Sequence, residues 1–159
     1  MQTKMTSDNS KLTVDLQMAS LAIEDTLKKI ASTALIKKWV KTSTNGGGLL
    51  TLRFVNRAEG KKLNRSFRKK DYATNVLTFP YESSKKNVVA DIIFCLPVIQ
   101  KEAVEQGKAI KAHLAHLVVH GCLHAQGFDH ELPKDASKME AREIQLLKTL
   151  GFPNPYQSH

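Results

Sequence analysis

The run His120-Gly121-Cys122-Leu123-His124-Ala125-Gln126-Gly127-Phe128-Asp129-His130 constrains this chain more than any other stretch. Ile110, Leu114, Leu117, Val118 and Leu123 recur at three- and four-residue intervals, which predicts an amphipathic helix leading into it. His120 and His124 then stand one turn apart on one face, roughly 5–6 Å apart at Cβ, so both imidazoles can reach one ion. His113 and His116 share that face. Four such residues cannot serve a single ion, because His116 and His124 are two turns apart, about 12 Å along the axis. Gly127 is the residue expected to stop the helix in the left-handed conformation, after which Phe128 and Asp129 return His130 toward His124 and not His116. Three neutral nitrogens with no fourth side chain in view fit a zinc ion that keeps an open position, the arrangement of catalytic sites. His113 and His116 are left to packing or to hydrogen bonds behind the ligands, and Asp129 either holds a ligand imidazole or forms the turn.

The remainder of the chain reads as a single domain that can carry such a site. Its 159 residues are 42% hydrophobic, enough for one real core. Residues 1–10 are polar and read as a flexible leader, 11–156 as the domain, and 157–159 as a tail, with the stretch from Asn154 onward already tail-like. No apolar run approaches the ~20 residues of a spanning helix, and no secretory block opens the chain, so a cytoplasmic protein without membrane contact is expected. Cys95 and Cys122 read as small buried apolar residues, with Cys122 turned away from the histidine face.

Strands are expected at Leu12–Met18, where apolar and polar residues alternate, at Leu49–Val55 and at Val88–Phe94, the last apolar enough to be central, and Asp71 to Pro80 reads as a turn and a short strand. Pro80 places its strand at an edge or a strand end. Asp91 is the exception in an apolar strand and needs a partner. Helical spacing covers Ile23 to about Lys41 as one helix, with Ala34 inward, then Arg57–Phe67, Val98–Gln106 behind Pro97, the histidine helix, and Pro133 through Leu150. This is an α+β pattern: a four-stranded mixed sheet with about five helices packed on it, and no tight hairpin.

Lys and Arg number 24 against 15 Asp and Glu, a formal charge of +9, which favours a polyanionic partner, RNA or DNA. Zinc on three imidazoles brings the pKa of its water toward ~7 and supplies hydroxide, so hydrolysis is the expected chemistry. A peptidase of the HExxH kind carries a glutamate beside its first histidine, whereas position 121 is glycine. The basic run Lys61, Lys62, Arg65, Arg68, Lys69 and Lys70 offers instead a guanidinium for phosphodiester oxygens, either Arg65 or Arg68 on these grounds alone.

The histidine run, together with Leu63-Asn64-Arg65-Ser66-Phe67-Arg68-Lys69-Lys70-Asp71 and Thr74-Asn75-Val76-Leu77-Thr78-Phe79-Pro80, resembles the YbeY family of bacterial metal-dependent endoribonucleases and rRNA maturation factors. The similarity runs from about Leu12 to the Asn154-Pro155-Tyr156 end; Ala90, Phe128 and Thr78 stand where glycine, tyrosine and serine are common. The resemblance implies one zinc per chain on His120, His124 and His130, and catalysis by Arg68 together with the ligand His120. It further implies single-stranded RNA as substrate, action at the 3′ end of 16S rRNA precursors, ribosome quality control, and the small ribosomal subunit, with a ribosomal protein among the candidates, as partner; no DNA is expected. The rival expectations are a zinc peptidase or amidase, and a non-catalytic ribosome assembly factor whose metal is structural.

Overall fold

The computed structural model describes residues 11–84, 86–129 and 131–157. In chain order the elements are β1 (Leu12–Met18), α1 (Leu21–Ile30), α2 (Thr33–Ser43), β2 (Gly47–Val55), α3 (Arg57–Arg68), β3 (Val76–Ser83), β4 (Asn87–Cys95), α4 (Leu96–Glu105), α5 (Ile110–Ala125) and α6 (Pro133–Thr149). The four strands form one mixed sheet in the order β1-β2-β4-β3, with β1, β2 and β4 parallel and β3 antiparallel at the edge. The α+β expectation and the central place of the Val88–Phe94 strand therefore hold. The leader, residues 1–10, lies outside the described residues.

Three expectations need correction. The helix expected from Ile23 to Lys41 is two helices, so six stand among the described residues instead of about five. Ala31 and Ser32 are extended, and the Ser32 hydroxyl accepts from Leu35 N, opening a new helix N-terminus inside the periodic run. The break also changes the inner face: Ile36 is buried and Ala34 exposed. A hairpin is present as well, since β3 and β4 are joined by residues 84–86, with Ser84 N donating to Asn87 O and Asn87 N to Ser84 Oγ, both at 3.0 Å. Its turn lacks glycine, which hid it from pattern reading. Third, the stretch from Asn154 to Tyr156 is no loose tail: Lys108 Nζ donates to Pro155 O at 2.9 Å, and the Tyr156 hydroxyl donates to Glu143.

Strand alternation divides the core in two. Leu50, Leu52, Phe54, Val88, Ala90, Ile92 and Phe94 face α1, α2 and α5, whereas Val55, Leu77, Ile93 and Cys95 face Leu63 of α3 and Val98 of α4. Helix α3 is fixed to this second face by Arg53 of β2, whose Nε and Nη2 reach the Glu59 carboxylate at 2.6 and 3.1 Å. Asp91 lies on the same face, half-buried, and accepts from the Tyr81 hydroxyl at 2.8 Å; that neutral donor is the partner its position required.

Helix α5 is buried nearly all round, with Leu114, Ala115, Val118, Val119, Cys122 and Leu123 enclosed by the sheet and its neighbouring helices. It can approach the sheet because residue 121 is glycine: a Cβ there would stand 2.8 Å from Ile92 Cγ2 and 3.5 Å from Val76 Cγ2. Cys122 is enclosed with it, and burial pushes its thiol up to about 12, so it is an apolar core residue and not a reactive one.

Candidate functional site

The histidines on α5 form a row. Ring centroids are 6.5 Å apart from His113 to His116, 6.3 Å from His116 to His120 and 4.7 Å from His120 to His124, the last pair edge to face at 78°. The helix ends just beyond, with Gly127 at φ +98°, Gly127 N donating to His124 O and Phe128 N to Leu123 O, both at 3.0 Å. This is the paired-carbonyl stop that a glycine after the helix allows, and it places the chain reversal where the spacing predicts it. Gln126 ties the same end to α2, Nε2 donating to Ser43 O at 2.6 Å and Asn45 N donating to Oε1 at 3.1 Å. Asp129 Oδ1 accepts from Glu131 N at 3.2 Å, an Asx-type turn. His130, the expected third ligand, lies outside the described residues.

Behind the row stands a residue that pattern reading missed. Glu143 of α6 is fully buried, and three groups converge on it: His120 Nδ1 at 2.5 Å from Oε2, His116 Nε2 at 3.3 Å from Oε1, and the Tyr156 hydroxyl on Oε1. A carboxylate only accepts, so each ring nitrogen facing it carries the proton. Burial opposes ionisation of Glu143, yet the hydrogen bonds from His116, His120 and Tyr156 outweigh it and hold the carboxyl at about 2. Tyr156 is driven the other way, by its own burial and then by the Glu143 charge. The available signal was positional: Glu143 lies four residues from both Met139 and Leu147, on the stripe that packs inward.

His113 is fastened separately. Its Nε2 donates to Glu102 Oε1 at 2.9 Å, and Asn75 Nδ2 donates to the same oxygen at 3.1 Å. Burial lowers the His113 pKa, against the pull of Glu102. His113 is thus held by packing and hydrogen bonding, while His116 faces Glu143.

His116, His120 and Glu143 bring ligand-type atoms within 4.8 Å of one another, a group that could hold a metal ion. Imidazoles backed by a carboxylate are the donor chemistry zinc takes, so the residues present fit such an ion. The His120 tautomer that donates from Nδ1 carries its lone pair on Nε2, the nitrogen a metal would use.

Arg68 lies elsewhere in the fold. It is exposed in the last turn of α3, on the sheet face opposite α5, and the left-handed Lys69 (φ 61°) ends its helix. The edge strand β3 touches both sides, for Phe67 packs on Phe79 of β3 from one side and Val76 of β3 meets α5 from the other. Arg65 and Lys61 both approach Asp71 Oδ1, at 4.0 and 3.9 Å, whereas among the described residues no carboxylate pairs with Arg68.

Comparison with known proteins shows the family and the fold. Residues 5–151 match the family described as Endoribonuclease YbeY. Proteins of that name are 72% identical in Polynucleobacter asymbioticus, over 94% of this chain and 97% of the relative, and 51% identical in Paraburkholderia phytofirmans, over 92% and 97%. A third, from Aromatoleum aromaticum, is 49% identical over 93% and 94%. The solution structure of TM1509 from Thermotoga maritima shares the fold, with a TM-score of 0.51 and 21% identity, covering 91% of this chain and 99% of that one. A helical row of histidines braced by a buried glutamate, on a chain alike to these relatives over nearly its whole length, belongs to the endoribonuclease YbeY family of nuclease hydrolases.

Proposed function

We propose that this chain is a zinc-dependent endoribonuclease specific for single-stranded RNA. In this reading it is cytoplasmic, matures the 3′ end of 16S rRNA precursors, and takes part in ribosome quality control with the small ribosomal subunit. His120, His124 and His130 hold one zinc ion, and Arg68 binds the phosphodiester.

One observation carries the reading: the 2.5 Å contact between His120 Nδ1 and the fully buried Glu143 carboxylate. A carboxylate behind an imidazole fixes the tautomer and the ring, and makes the opposite nitrogen a better ligand. Glu143 Oε1 is already engaged by Tyr156 and His116, which favours Glu143 as the group that orients His120 over Glu143 as a ligand. When bound, zinc would polarise a phosphodiester oxygen and lower the pKa of water toward ~7. The Arg68 guanidinium can grip two non-bridging oxygens as negative charge grows on them. No helix among the described residues is long and apolar enough to cross a membrane, in keeping with a cytoplasmic protein. The peptidase alternative loses support from Gly121, since the glutamate of an HExxH site would collide with Ile92.

The test incubates purified protein with single-stranded RNA, duplex RNA and casein, with and without chelator. Cleavage of the single strand alone, stopped by chelator and restored by zinc, is expected; proteolysis without RNA cleavage would replace the nuclease with a peptidase. Arg68→Ala should retain zinc and lose cleavage, and His120→Ala should lose both. If His124→Ala and Arg68→Ala each leave rRNA processing and ribosome binding intact in cells, the protein is an assembly factor with a structural metal.

A further inference from the structure

Strand β3 is one of the two edge strands of the sheet, and its α3 side carries aromatic side chains in a place where water would ordinarily select polar ones. Phe67 is 64% exposed and Tyr81 68% exposed. Neither is loose. The Phe67 ring packs edge-on against Phe79 with centroids 5.0 Å apart. The Tyr81 hydroxyl donates to Asp91 Oδ2 at 2.8 Å, and Asp91 is the cross-strand partner of Phe79, so Phe67, Phe79 and Tyr81 share one face. The register of β3 against β4 shifts between Pro80 and Glu82, leaving Tyr81 as the extra residue of a bulge, a device that re-aims a side chain. Two aromatic surfaces are thus held outward in fixed orientations, about 7 Å apart along the strand between Phe79 and Tyr81.

The surroundings select the partner. Lys61, Lys62, Arg65, Arg68, Lys69 and Lys70 line α3 and its end beside Phe67, and Asp71 is the acid that approaches them. An apolar protein surface would not be drawn to so dense a positive field, whereas an unpaired nucleic-acid strand offers both phosphates for the cations and bases for the rings. We infer that Phe67 and Tyr81 form a base-stacking platform that seats single-stranded RNA along the β3 edge and positions its backbone beside Arg68. This rests on the nuclease reading proposed above and assigns it the substrate's docking surface. Duplex RNA, whose bases are stacked on each other, cannot use the platform, which gives a physical origin for single-strand preference.

The test measures affinity by fluorescence anisotropy for a labelled single-stranded oligoribonucleotide and for the same oligomer with abasic positions. Wild-type protein should bind the intact oligomer roughly tenfold or more tighter than the abasic one, the effect of one or two stacked bases. Phe67→Leu and Tyr81→Leu should each weaken binding of the intact oligomer about five- to hundredfold. They should leave abasic binding and the salt dependence unchanged, since no cation is removed. Phe67→Trp and Tyr81→Trp, which keep a π-face, should restore the base-dependent difference. Thermal melting of each variant controls for folding, above all for Tyr81→Leu, which removes the hydroxyl that Asp91 accepts from, whereas Phe67→Leu removes no hydrogen bond. Variants that bind intact RNA as tightly as wild type, or tryptophan variants that do not rescue, overturn the platform. If the wild type cleaves single-stranded RNA while the leucine variants bind normally, only the platform falls; if the wild type neither binds nor cleaves RNA, the nuclease reading falls with it.

Discussion

Glu143 occupies a helix position whose neighbours four residues away on either side, Met139 and Leu147, are apolar core residues. A carboxylate there is tolerated because His116, His120 and Tyr156 all donate to it. Glu143→Gln keeps the shape and removes the charge, so zinc affinity should fall roughly 10- to 100-fold while the fold persists, as read by competition with a zinc chelator. Unchanged affinity would remove Glu143 from the site. Tyr156→Phe deletes one donor to the same carboxylate and should cost about 1–2 kcal/mol in urea denaturation, where a residue in a loose tail would cost nothing. His113 supplies a pH dependence: burial lowers its pKa from the ordinary 6.5. The unfolded chain therefore takes up a proton as pH falls through about 6.5, while the folded protein does so only further down. This contribution to stability is complete above that pH and declines below it. Unfolding free energies measured between about pH 7.5 and about 5.5 should fall less steeply for His113→Gln than for the wild type.

Among the elements, α5 determines the geometry, and Gly121 determines how near α5 comes to the sheet. The added methyl of Gly121→Ala would stand 2.8 Å from the branched, enclosed Ile92. Overpacking of about 1–3 kcal/mol should outweigh the ~1 kcal/mol that alanine returns in helix propensity, leaving a destabilised protein with a lower urea midpoint. A variant at or above wild-type stability would show that the helix can withdraw from the sheet. The α1–α2 break teaches the complementary point: Leu27, Ile30 and Ala34 keep three- and four-residue intervals across it, and the Ser32 cap interrupts the backbone without disturbing the apolar spacing that periodicity detects. The β3–β4 hairpin was missed for a similar reason. Its turn rests on the Ser84 hydroxyl and not on a positive-φ glycine, so the strongest short-range signal for a hairpin is missing from that turn.

For the whole molecule, a formal charge of +9 concentrated in part on α3 makes RNA binding depend on released counterions. Affinity for a single-stranded oligomer should fall with rising salt, with a log–log slope of about −0.7 per phosphate engaged, and replacing Lys61 and Lys62 by glutamine should flatten it. A slope near zero would place the RNA away from α3. What the sequence determined without help was local and periodic: four strands from alternation and apolar runs, the histidine helix from its spacing, its stop at Gly127, and a cationic run at the end of α3, because these follow from residues within a few positions of one another. Only the tertiary structure decided the long-range placements. The Glu143 carboxylate meets His120 from 23 residues away in the chain, Asn154–Tyr156 docks against α5 and α6, and Arg68 and the histidine row stand on opposite faces of the sheet. Those juxtapositions arise from which faces pack together and in what strand order, and a one-dimensional pattern of hydrophobicity carries no information on which of several apolar faces will meet.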